Sequence, residues 1–114
     1  MSSQDAIRAL IEKHCATLRG EASDITSALS HWSDAPDLAC ARAIKATHKI
    51  KGSSGTIGFH DVSMIAEQLE YAFRALEDEE EALLTREIYD LTHSLTETVS
   101  GLDPAQSSLY HKSF

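Results

Sequence analysis

Apolar residues recur at alternating steps of four and three along the N-terminal part of the chain, the spacing of one face of an α-helix. This first stripe consists of Ile7, Ile11, Cys15, Leu18, Ala22, Ile25, Leu29 and Trp32. Gly20 interrupts the stripe and costs about 1 kcal/mol relative to alanine. Pro36 and its polar neighbours then supply the signals that end one helix and begin another. The pattern predicts a long first helix over roughly residues 3–32.

Three further stripes with helical spacing follow. The second predicted helix, roughly residues 37–55 or slightly beyond, has a core face of mostly small residues: Ala39, Ala43, Ala46, Ile50, Ser53 and Ile57. The third, roughly 60–77, has a core face of Val62, Ile65, Ala66, Leu69, Phe73 and Leu76. The fourth, roughly 80–100, has a core face of Leu84, Ile88, Leu91, Leu95 and Val99 or Leu102. An acidic run over 77–81 is predicted to form a solvated turn before the fourth helix.

Four amphipathic helices with short connections predict an all-α fold, specifically an antiparallel up-down-up-down four-helix bundle. The chain has 114 residues, a length that suits one domain. We expect residues 1–103 to form that domain. The weakly patterned residues 104–114 are expected to form a loose or lightly docked C-terminal tail.

Composition and charge exclude several classes of function. The formal net charge is −8, which argues against nucleic acid and anionic membranes as main partners. No stretch is long and apolar enough to span a membrane, and the N-terminus lacks the basic and apolar regions of a secretion signal. The cytoplasm is therefore the expected location. Cys15 and Cys40 have no metal-ligand spacing and are expected to be reduced and buried.

The second predicted helix is positively charged in an otherwise acidic chain. Residues 38–60 contain no Asp or Glu, yet they hold four of the ten Lys and Arg residues, namely Arg42, Lys45, Lys49 and Lys51. Such a run is usually a solvated face. Its sharp separation from the acidic residues also suits an acidic partner or a negatively charged group.

His48 lies on the second helix opposite the core stripe, so its imidazole is predicted to face solvent. Gly52, at i+4, leaves the space beside the ring open, although glycine is unfavourable inside a helix. Lys51, at i+3, can reach an anion attached to the ring. A largely neutral imidazole has a lone pair that can attack phosphorus. Phosphoryl transfer depends mainly on positioning and on charge stabilisation, which this arrangement offers.

The segment 47–58, Thr-His-Lys-Ile-Lys-Gly-Ser-Ser-Gly-Thr-Ile-Gly, resembles the signature of histidine phosphotransfer (HPt) domains, His-x-Leu-Lys-Gly-Ser-Ser-x-x-x-Gly. Ile50 replaces the usual leucine, and the likeness continues through Val62, Ala66, Leu69 and Glu70. The resemblance implies that His48 is phosphorylated on its outer ring nitrogen and that Lys51 steadies the phosphoryl group. It also implies that Gly52 gives clearance to a partner and that Glu70 hydrogen-bonds and orients the imidazole.

The resemblance also implies the partners. HPt domains work with the receiver domains of response regulators, which bring their own Mg²⁺, and with hybrid histidine kinases. This chain would then be a phosphoryl carrier, neither an autonomous kinase nor a metalloprotein, with no cofactor of its own. The expected docking surface consists of Leu38, Ala41, Ile44, Lys45, Lys49 and Gly55. For Leu38, Ala41 and Ile44, partial burial within the bundle is an equally good interpretation. Because this face must remain open, a monomer is expected.

Alternatives remain at this point. A phosphotransfer domain of a chemotaxis-type kinase has a similar motif but belongs to a much longer protein. In a histidine-kinase dimerisation domain the histidine is typically followed by an acidic residue, whereas Lys49 follows here. Asp90 and His93 have the i, i+3 spacing of a metal-binding bundle, but one such pair is a weak signal. His14, His31, His60 and His111 are expected to be surface or rim residues.

Overall fold

The computed structural model describes residues 2–112, and over this range it contains four α-helices. They are α1 (Ser3–Ser30), α2 (Pro36–Ile57), α3 (His60–Glu77) and α4 (Arg86–Ser100), followed by a short 3₁₀ turn over Pro104–Gln106. The molecule measures 53 × 19 × 19 Å, the shape of a bundle of roughly aligned helices. The predicted all-α, four-helix fold is confirmed.

Local sequence signals account for several of the helix ends. Ser2 and Asp5 form a reciprocal capping box at the start of α1. Pro36 occupies the first turn of α2, where its missing N–H costs nothing. Gly58 ends α2 with a φ of 93°, a left-handed conformation that favours glycine, and its N–H donates to the carbonyl of Ser54.

The start of α4 differs from the prediction by about one and a half turns, because the helix begins at Arg86 rather than near residue 80. The Thr85 hydroxyl accepts from the N–H of Ile88 and caps the helix at this point. Upstream, the indole Nε1 of Trp32 donates to the carbonyl of Ala82 at 2.7 Å. Segment 81–85 is therefore held against the end of the α1–α2 hairpin and does not extend α4.

The core runs the length of the bundle and contains the apolar stripes of all four helices. Its largest fully buried apolar side chains are Phe73, Ile11, Leu18, Ile25, Ile50, Leu69, Ile88, Leu95, Val62 and Val99. Leu84 and Leu91, predicted core residues of the fourth helix, are only partly buried, and Thr92 is buried instead. Cys15 and Cys40 are buried and not disulfide-bonded, as predicted.

Helices α2 and α3 pack closely and run in opposite directions. Gly55 near the end of α2 lies against Ser63 near the start of α3, and Cys40 near the start of α2 donates to the carbonyl of Phe73. The Ser63 hydroxyl also donates to the carbonyl of Lys51 at 3.0 Å. The small residues of α2 permit this approach. The up-down-up-down order over the whole bundle stays a prediction.

The C-terminal segment docks more firmly than expected. The buried Ser107 hydroxyl donates to the carbonyl of Ile57, and the N–H of Ser108 donates to the carbonyl of Gly58 at 3.1 Å. Arg8 of α1 donates to the carbonyl of Tyr110 at 3.1 Å. Up to Lys112, the predicted tail therefore packs on the bundle, whereas residues 113–114 lie outside the described range.

Candidate functional site

His48 projects from the middle of α2 into solvent, with 62% of its side chain exposed. The residues flanking its inner side, Thr47 and Ile50, are completely buried. The helix thus separates a core face from the face that carries the imidazole, as the apolar spacing predicted.

The side chain of Glu70, on the neighbouring helix α3, contacts the imidazole at Nδ1, on the side of the ring that faces the bundle. Its side chain is only 7% exposed, and both of its oxygens lie near Nδ1 of His48, Oε2 at 3.2 Å and Oε1 at 3.3 Å. An ionised carboxylate only accepts hydrogen bonds, so Nδ1 must be the donor. A neutral ring with its proton on Nδ1 has its lone pair on Nε2. Glu70 therefore selects the tautomer in which the outer nitrogen is nucleophilic.

Two cations keep this buried carboxylate ionised. Nε of Arg74 lies 2.8 Å from Oε2 of Glu70, and Nζ of Lys51 lies 3.1 Å from Oε1. Burial alone would raise the pKa of Glu70, but the hydrogen bonds from Arg74, Lys51 and His48 outweigh it and lower the pKa. Lys51 and Arg74 carry two positive charges on this carboxylate, and a second carboxylate, Glu77, lies 3.9 Å from Nη1 of Arg74.

Gly52 leaves open space one turn along from His48. A methyl group placed on Gly52 would meet no described atom within 4 Å outside the backbone of its own helix. Gly55 is different, because the same methyl group would lie 3.2 Å from the Ser63 hydroxyl oxygen. The clearance at Gly55 thus serves the packing of α2 on α3 rather than the exposed face.

The docking surface predicted from the sequence is partly wrong. Ile44 is buried, with 7% of its surface exposed, because α2 packs closely against its neighbours, and so it cannot form an exposed apolar contact. Leu38 is 54% exposed, and Ala41 and Lys45 are also exposed. Lys49 is exposed too, with Nζ 3.8 Å from a Glu21 carboxylate oxygen of α1. Leu38, Ala41, Lys45 and Lys49 remain candidates for partner contact.

Arg74 is the site residue that the sequence interpretation missed. It lies at i+4 from Glu70, and a glutamate followed by an arginine at this spacing is a recognisable helical ion pair. That signal would have identified the pair, but it would not have shown that the pair reaches His48, since the contact joins different helices. The same holds for Ser63, which binds the Lys51 carbonyl.

The metal-binding alternative finds no support in residues 2–112, where no group of three or more His, Cys, Asp or Glu side chains is arranged to hold an ion. His93 instead lies 3.5 Å from Glu97, and Asp90 lies 3.8 Å from Arg86. Over the same residues, no helix has the length and apolar character needed to cross a membrane.

A helical bundle in which a buried carboxylate orients an exposed histidine has the architecture of a histidine phosphocarrier. The family model of the Hpt domain matches residues 9–102. Because this match covers most of the sequence, the chain belongs to the Hpt domain family. No significant match is found among curated proteins or among solved structures. Membership implies histidine phosphotransfer in a phosphorelay, with receiver domains and kinases as the family's partners and a carrier role rather than a kinase activity.

Proposed function

We propose that this chain carries a phosphoryl group on Nε2 of His48 and exchanges it with the aspartate of response-regulator receiver domains. The observation that carries the proposal is the contact between Nδ1 of His48 and the buried carboxylate of Glu70. It holds the proton on the inner nitrogen and directs the outer lone pair into solvent, where an aspartyl phosphate can approach.

The transfer needs no proton movement on this chain. The Nε2 lone pair forms a bond to phosphorus while the bond between phosphorus and the aspartyl oxygen breaks, and its electron pair stays on the departing carboxylate. The imidazole retains its Nδ1 proton and gains positive charge. Glu70 accepts the hydrogen bond from that proton and stabilises the charge. Return of the phosphoryl group breaks the P–N bond and restores the lone pair.

Lys51 supplies mobile positive charge for the phosphoryl group. Its ammonium pairs with Glu70 at 3.1 Å, and its side chain is 34% exposed. A flexible four-carbon stem lets the ammonium move between this carboxylate and a phosphoryl group on Nε2. Gly52 would leave room for the receiver that delivers the group.

The cationic surface of α2 supports an acidic partner. Lys45 and Lys49 are exposed on α2 beside His48, where they complement the acidic, Mg²⁺-binding site of a receiver domain. The chain would need no cofactor of its own, since the receiver supplies Mg²⁺. It would act as a monomer in the cytoplasm, taking phosphoryl groups from hybrid histidine kinases or returning them.

Replacement of His48 by glutamine tests this function. The protein is incubated with phosphorylated receiver domains encoded in the same genome, and with phosphoramidate as a donor that needs no receiver. We expect phosphorylation of the wild type and of a His60→Gln control, an exposed histidine at the start of α3. The His48→Gln variant should accept no phosphoryl group from a receiver while its circular dichroism is unchanged, and phosphoramidate should no longer label position 48. Acid-labile phosphorylation of this variant by a receiver would reject the assignment.

A further inference from the structure

Arg74 contacts the same carboxylate oxygen that accepts from the catalytic ring. Its Nε lies 2.8 Å from Oε2 of Glu70, whereas Nδ1 of His48 lies 3.2 Å from that oxygen. Arg74 is not within hydrogen-bond distance of the imidazole in the described structure, so any effect on His48 must pass through Glu70. A second glutamate, Glu77, lies 3.9 Å from Nη1 and steadies the guanidinium from the next turn of α3.

We propose that Arg74 is a positioning residue that holds Glu70 ionised and in place, so that His48 keeps its proton on Nδ1 and its lone pair on Nε2. The inference rests on the proposed function of His48. It assigns to Arg74 a part in phosphotransfer that the exposed surface of α2 does not reveal.

The two cations that contact Glu70, Lys51 and Arg74, differ in how firmly they are held beside it. Lys51 comes from α2, and its flexible stem lets the ammonium turn from Glu70 toward a phosphoryl group on His48. Arg74 comes from α3, one helical turn from Glu70, in the favourable order of glutamate before arginine. Its planar fork loses less freedom than a lysine on forming the contact. When Lys51 moves away, Arg74 thus remains to balance a carboxylate that is 7% exposed and costly to leave unpaired.

Loss of Arg74 would change the ring chemistry through the position of Glu70. His48 and Lys51 of α2 and Arg74 of α3 are the titratable or charged side chains recorded on this carboxylate among the described residues. Without the guanidinium, Lys51 is the remaining cation on Glu70, and the carboxylate is freer to turn away from Nδ1. A neutral ring that loses this acceptor no longer keeps its proton on Nδ1, so a larger share of rings carries the proton on Nε2 and lacks the nucleophilic lone pair there.

The test compares Arg74→Gln, which keeps a donor but no charge, with Arg74→Lys, which keeps the charge. Arg86→Gln is the matched control, because Arg86 is a 93% exposed arginine of α4 whose nearest acid, Asp90, lies 3.8 Å away. Each variant of the 114-residue chain is treated with phosphoramidate between about pH 5 and pH 8, which spans the titration of an imidazole. ¹⁵N NMR of the histidine rings measures the tautomer of His48 directly, without any phosphoryl donor.

We expect Arg74→Gln to shift His48 toward the Nε2–H tautomer at the alkaline end of this range, where the ring is neutral. Its phosphorylation should slow by about three- to tenfold there, since the lost contact is charge-assisted but half exposed. The pH at which the phosphorylation rate of this variant falls on the acidic side should also be higher than in the wild type. Arg74→Lys should restore most of both properties, and Arg86→Gln should match the wild type.

Two results would overturn the role of Arg74. One is an Arg74→Gln variant with the wild-type tautomer and the wild-type pH profile. The other is an equal loss of rate in the glutamine and lysine variants with the tautomer unchanged, which would indicate structural damage only. If the wild type itself is not phosphorylated at His48, the proposed function fails, whereas the tautomer measurement still decides what Arg74 does to the ring.

Discussion

Replacing Gly52 by alanine should make the protein more stable. Gly52 lies inside α2, and a methyl group there meets no described atom within 4 Å beyond its own helix backbone. No clash opposes the substitution, so the gain is the helix propensity of alanine over glycine, about 1 kcal/mol. For a domain of this size the midpoint of thermal unfolding should rise by about 4 °C.

The same substitution should impair transfer from a receiver. A side chain introduced at position 52 would lie one turn from His48, in the space through which the receiver would bring its aspartyl phosphate. Alanine fills part of that space, and glutamine fills more of it. Because misplacing the reacting atoms by about 1 Å can cost a hundredfold in rate, we expect Gly52→Gln to slow transfer by about tenfold or more, and Gly52→Ala by less.

Gly20 offers a matched control on α1. It is also exposed within a helix, and a methyl group there also meets no described atom within 4 Å beyond that helix. Urea unfolding should show similar stabilisation in Gly20→Ala and Gly52→Ala, but only substitutions at Gly52 should slow transfer from a phosphorylated receiver. Phosphoramidate, being small, should phosphorylate all of these variants at similar rates. Wild-type transfer from a receiver to Gly52→Gln would refute the clearance argument.

Two further predictions concern stability. Glu70 has a lowered pKa, so its ionised form stabilises the fold above the ordinary glutamate pKa of about 4.3, and that contribution is lost as the pH falls through the lower folded value. Glu70→Gln should therefore lower the free energy of unfolding by about 1–2 kcal/mol at pH 7. In urea unfolding measured at a series of pH values, the loss should be much smaller at the most acidic pH. A Glu67→Gln control, exposed on α3, should be near neutral throughout, and a pH-independent loss for Glu70→Gln would contradict the linkage. Gly58→Ala should cost about 2 kcal/mol or more, because Gly58 has a φ of 93° and the new methyl would lie 2.9 Å from the backbone nitrogen of Ser108; an unchanged urea midpoint would show that the turn relaxes freely.

The sequence was most informative where structure depends on neighbours along the chain. Helices α1, α2 and α3 begin and end close to the predicted residues, because capping residues, Pro36 and Gly58 act locally. The start of α4 and the docking of the C-terminal segment were not predictable in this way. They depend on hydrogen bonds from Trp32 to Ala82 and from Ser107 to Ile57, each between residues 50 apart in sequence.

The same distinction applies to the site, where the features set by one helix were predictable and those set by contacts between helices were not. A helical projection gives the direction of each side chain from its axis, and that sufficed to place His48 outward and Gly52 beside it. It does not give the distance to the next helix. Ile44 points only slightly away from His48 in projection, yet it is buried because the small residues of α2 let its neighbours approach closely.

The contact between His48 and Glu70 arises from this same closeness. A buried carboxylate on α3 can reach Nδ1 only if the two helices pack tightly, and the Ser63 hydroxyl, which donates to the Lys51 carbonyl at 3.0 Å, shows how tightly they do. Bulkier residues along α2 would hold α3 away and lengthen the bond from His48 to Glu70. The reactivity proposed for the exposed imidazole thus depends on the small residues on the opposite, buried side of its own helix.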